Sequence, residues 1–150
     1  MRRLAFTVLL FALASAHGAA KDETAELKAR LESARPEERP ELCIRIARQQ
    51  LRNADKLYSE GKFDQARDAV DDIVTYSEQA RDAATQTKKN LKNVEIDVRK
   101  IAEKLRDIKR TLVFEDQPPV EQAIRRLEDV RTTLLKEMFA KENKNKKEKK

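Results

Sequence analysis

Residues able to carry chemistry are few in this chain, and their spacing gathers none of them into a reaction centre. His17 is the only histidine. A cleavage after Ala16 would place it at a free N-terminus, where amine and imidazole together can bind copper. An oxidative copper site of that design takes a second histidine, and the sequence has none. Zinc and di-iron carboxylate sites likewise draw on His or Cys partners, and a haem bundle needs an axial ligand on a helix. Ser33, Ser59 and Ser77 have no histidine to act as base, and neither has Cys43. Asp68, Asp71 and Asp72 lack the ligand spacing of a calcium loop and read as a solvated helix edge. Paired carboxylates for sugar hydrolysis need a cleft, which thin helical hairpins hardly offer. Gly18 and Gly61 are the only glycines, too few for a phosphate cradle. The expectation is a non-catalytic protein with no cofactor and no metal site.

The elements that would position any working surface are helices. Proline occurs only at positions 36, 40, 118 and 119, and no sustained period-2 alternation signals a strand. The residue pattern predicts an all-α fold, with helices over about 22–34, 40–59, 63–113 and 118–140 of the numbered chain. The third is the most distinctive. From Phe63, steps of three and four pass through Ala66, Val70, Ile73, Ser77, Ala80, Ala84, Thr87, Leu91, Val94, Val98, Ile101, Leu105, Ile108 and Leu112 in one register. Such spacing keeps one seam turned toward a partner helix. The word "QARDA" occurs at Gln65 and again at Gln79, fourteen residues later. Fourteen residues are two heptads, so the repeat sets Ala66 and Ala80 on the same seam and is no binding motif.

Short turns make neighbouring helices antiparallel. Folding about residues 60–61 brings Tyr58 to Phe63, and folding about 115–116 brings Leu127 to Leu105. We expect antiparallel hairpins sharing one long central helix, 63–113, with a short N-terminal helix beside them. The alternative is a break in the weak middle of the seam, which would let the two hairpins stack as a compact four-helix bundle. Ser77, Ala80, Ala84, Thr87 and Leu91 mark that middle. With the groove between the second and third helices, they form the expected surface for a protein partner or for self-association.

Residues 1–16 read as a signal peptide: Arg2 and Arg3, then an apolar run from Leu4 to Leu13, then "ASA" before a cut after Ala16 or Gly18. The other reading of this run is an N-terminal anchor, for which it is short. The formal net charge is +6, of which Arg2 and Arg3 supply two and the six Lys and two Glu of residues 141–150 supply four, leaving residues 17–140 neutral. A nucleic-acid face should lie in the folded part, so no nucleic acid is expected. The segment "KENKNKKEKK" has nothing apolar to bury and is expected to be disordered. Lys144, Lys146, Lys147, Lys149 and Lys150 either hold an anionic membrane or cell-wall surface or only aid solubility. Cys43 is the only cysteine, so it either pairs between chains or is a small buried hydrophobe.

The stretch "ADKLYSEGKFDQARDAVDDI", residues 54–73, resembles the centre of a tetratricopeptide repeat. Ala54, Leu57, Tyr58, Gly61, Phe63, Asp64 and Ala66 carry the likeness, and no second copy follows at the family's period. The resemblance implies a helical hairpin over about 45–74 and binding of a protein partner. The leader, the high pI and the helices together resemble small exported helical chaperones. A periplasmic or extracellular scaffold or adaptor is therefore the first expectation, a holdase using the basic tail is the second, and a metal carrier or enzyme is the last alternative.

Overall fold

The computed structural model describes residues 16–148, with side-chain exposure for residues 23–140, Glu142 and Lys144. The expected leader lies outside the described residues apart from Ala16. The fold is all-α, with helices α1 (Ala16–Glu32), α2 (Arg39–Ser59), α3 (Phe63–Thr87), α4 (Leu91–Thr111) and α5 (Gln117–Glu148). A 3-10 turn, Phe114–Asp116, leads into α5.

The α2–α3 turn forms where Gly61 takes a positive φ of 72°. The Lys62 N–H donates to the Leu57 carbonyl at 2.9 Å and the Gly61 N–H to that of Tyr58 at 3.1 Å. These two bonds close a Schellman motif and satisfy the last carbonyls of α2. The rings of Tyr58 and Phe63 then meet across the turn, 6.1 Å between centroids. Further along, Gln50 donates to Asp72, and the Cys43 thiol lies 4.0 Å from the Gln79 amide oxygen. Both pairs keep the antiparallel register expected for this hairpin.

The long central helix does not persist. It stops at Thr87 and restarts at Leu91, with Lys88 (φ 56°) and Asn90 (φ 61°) both in the left-handed region. Asn tolerates that conformation better than most residues, because its short polar side chain can bond locally. Thr85 and Thr87 also weaken the last turn through β-branching, and Thr87 bonds back to the Ala83 carbonyl at 2.8 Å. The chain therefore reverses without glycine or proline.

The break lets the second hairpin, α4–α5, fold onto the first. Ion pairs across the joint keep one offset: Arg48 with Asp97, Asp55 with Lys104, Arg67 with Asp116 and Lys88 with Glu137 are each 49 residues apart, and Glu78 with Arg126 is 48. A constant offset means that α2 runs parallel to α4 and α3 parallel to α5. The hairpins are thus stacked in register. The seam becomes the core between them: Ala66, Val70, Ile73, Ser77, Ala80, Ala84, Leu91, Val94, Val98, Ile101, Leu105 and Ile108 are all buried. Leu105, Leu127 and Leu134 are fully enclosed, each worth roughly 1.5–3 kcal/mol against exposure.

On the outer side of α2 and α3, α1 buries Leu27 and Leu31. Lys28 binds Asp72 at 3.0 Å and sits over the Tyr76 ring. Burial alone would lower the Lys28 pKa, but Asp72 outweighs it and the value is raised. Along α4 and α5, Glu95, Arg131, Glu128 and Arg106 form one chain of ion pairs. Helix α5 continues to Glu148, where disorder was expected from residue 141. Lys and Glu are good helix formers, so the backbone can stay helical without an apolar face to bury.

Candidate functional site at the two-turn end

The α2–α3 turn and the α4–α5 turn lie at the same end of the stack, because both hairpins point the same way. Phe63 begins α3 and is 37% exposed. Val113 and Phe114 follow Leu112, where α4 ends in extended backbone, and are 63% and 80% exposed. Three of the four exposed large hydrophobic residues among those described therefore gather at this end; the fourth is Phe139. Between the turns is a groove of about 370 Å³, lined by Asp55, Tyr58, Ser59, Phe63, Thr111, Leu112, Val113 and Asp116.

The groove combines apolar walls with a few polar groups. The Tyr58 ring is buried and its hydroxyl has no hydrogen-bond partner. Burial raises the Tyr58 pKa, with Arg67 acting in the opposite sense, so the phenol stays protonated at neutral pH. Asp55 is held by Lys104 at 3.4 Å and Asp116 by Arg67 at 3.4 Å. These ion pairs fix the two walls, one from each hairpin. The arrangement has room for an inserted apolar side chain, with Phe63 on its rim.

The surface expected from the sequence is elsewhere and is largely enclosed. Ser77, Ala80 and Ala84 have no exposure, Leu91 is buried and Thr87 is half-buried. The small residues that looked like room for a partner helix let the chain's own second hairpin approach. Along α2 and α3, α1 packs mainly on α2 and reaches α3 through Lys28, while the second hairpin covers the opposite side. Self-association through an open seam accordingly loses its basis. Lys144 is exposed, Lys146 and Lys147 fall on the last turn and a half of α5, and Lys149 and Lys150 lie outside the described residues.

Cys43 is buried, with 1% exposure, and burial pushes its thiol up to about 11 despite the nearby Arg39. At neutral pH it is a thiol inside the core. Of the acidic cluster, Asp72 is engaged by Lys28 and Gln50, while Asp68 and Asp71 are exposed. Among the described residues no three His, Cys, Asp or Glu side chains are grouped to hold a metal ion, and no helix is long and apolar enough to cross a membrane.

Val113 and Phe114 were missed by the sequence reading. Their signal was two apolar residues directly after the last seam position, out of its phase and separated from a double proline by Glu115, Asp116 and Gln117. No protein-family model, curated protein or solved structure matches this chain.

Proposed function

We propose that the protein is an exported, non-catalytic contact protein that receives a protein partner at the two-turn end. The observation that carries this reading is the exposure of Val113 and Phe114 beside the Phe63–Tyr58 groove. Exposed aromatics at the rim of a formed pocket are costly to keep in water and are typical of contact sites. The partner's apolar side chain enters between Phe63 and Val113. The helical hairpin resembling a tetratricopeptide repeat contributes the Phe63–Tyr58 wall, in keeping with a scaffold or adaptor role. Export rests on the leader-like residues 1–16.

A photo-crosslinking residue at position 114, expressed in the cells that make the protein, tests this. A discrete crosslinked protein from position 114, absent when the crosslinker stands at Lys100 on the charged face of α4, is the expected result. Equal crosslinking from both positions, or none from position 114, contradicts the reading.

A further inference from the structure

The opposite end of the molecule has a different character. The α3–α4 turn exposes Lys89 and Lys92. Beside it, Met138 and Glu142 of α5 share a cleft of about 420 Å³ with Leu91, the first residue of α4. Residues 143–148 of α5 therefore extend past the start of α4, by roughly 9 Å at 1.5 Å per residue. Met138 turns into the core, whereas Phe139 is 62% exposed. Lys136, three residues earlier on the same face, is exposed as well. Residues 136–150 contain seven Lys against three Glu, in a protein whose residues 17–140 are neutral.

We infer that this end docks on an anionic bilayer. The lysines lie over the headgroups, where each adds to the surface attraction, and Phe139 enters the interface. A soluble polyanion would satisfy the lysines but has no use for an exposed phenylalanine among them. An apolar anchor next to basic residues is the pattern of a segment lying on a membrane surface. The inference is independent of the partner site, since Phe139 is ~33 Å along α5 from its first turn. Docked this way, the molecule would hold the Phe114 end away from the membrane.

The test is flotation of the full chain with phosphatidylcholine vesicles, with and without phosphatidylglycerol. The variants below keep residues 1–16 unchanged, so comparison with the parent controls for the attraction of Arg2, Arg3 and apolar residues 4–13 to bilayers. Binding should require phosphatidylglycerol and weaken as salt shortens the screening length. Phe139→Ser should lower affinity roughly tenfold while leaving thermal stability unchanged, because the side chain is already exposed. Lys144→Gln, Lys146→Gln and Lys147→Gln combined should lower it roughly a hundredfold. Equal binding to neutral vesicles, or no binding to either, overturns the inference. So does a Phe139→Ser variant that binds like the parent, which would show charge alone holding the protein to the surface.

Discussion

The Arg126 guanidinium donates to both carboxylate oxygens of Glu78 at 2.9 Å, tying α5 to a residue 48 positions earlier on α3. Four more ion pairs repeat nearly the same offset, so the second hairpin lies on the first in one register along its whole length. These pairs are partly exposed and each adds about 0.2–1 kcal/mol. They set alignment more than stability. Arg126→Ala should lower the unfolding free energy by less than ~1 kcal/mol, while Leu127→Ala next to it should cost about 2–5 kcal/mol. Urea denaturation of the two variants checks the contrast.

The break at 88–90 depends on two left-handed residues that are not glycine. Asn90→Val should destabilise by about 1–2 kcal/mol, because a β-branched side chain resists positive φ. Asn90→Gly should be neutral or slightly stabilising. If the valine variant matched the parent in thermal denaturation, the turn would not require the left-handed conformation.

Ser77 is fully buried and its hydroxyl has no hydrogen-bond partner. Ser77→Ala removes an unsatisfied polar group at nearly constant volume, so stability should hold or rise by up to ~1 kcal/mol. Ser77→Leu overfills the joint between the hairpins and should cost about 1–3 kcal/mol. Paired denaturation curves distinguish the two effects.

Alkaline pH should loosen the core in a way traceable to Cys43. Its thiol has an ordinary value of 9.0 and is pushed up to about 11 by burial, so through that window the folded chain keeps a proton that the unfolded chain releases. Stability is then unaffected below pH 9 and falls as pH rises toward 11, by roughly 2–3 kcal/mol from this group. Tyr58, also raised by burial, acts in the same sense at somewhat higher pH. Cys43→Ala should flatten the fall measured by urea midpoints across that range; an unchanged slope would assign it to other groups.

Helix type, both hairpin registers and the seam were legible because a 3-4 apolar pattern is a direct consequence of helical geometry. Ala66 and Ala80, marked by the repeated "QARDA", are both fully buried. The overall arrangement was less legible. A heptad pattern says that a face is covered, not by what, and it keeps its phase across the turn from Thr87 to Leu91. Reading only Gly and Pro as stops passed over Asn90, so the straight helix was preferred to the break in the weak middle of the seam, and that alternative, with the hairpins stacked, is the one that forms. That one step moved the expected partner surface onto Ser77, Ala80 and Ala84, which the second hairpin encloses. The Val113–Phe114 end followed no period and depended on bringing two distant turns together, which only the three-dimensional stack does.

Both proposed contact ends require that the two hairpins of one chain pack in parallel register, which closes the seam and leaves the ends exposed. A double variant, Arg48→Cys with Asp97→Cys in a Cys43→Ala background, tests this most directly. The two positions are in ion-pair contact in the stack, but would be about 36 Å apart on a straight α3–α4 helix. A bis-maleimide with a span of about 10 Å, which bridges cysteines too far apart for a disulfide, should join the two within one chain that migrates as a monomer. No crosslink within the chain, or crosslinks found only in dimers, would contradict the account.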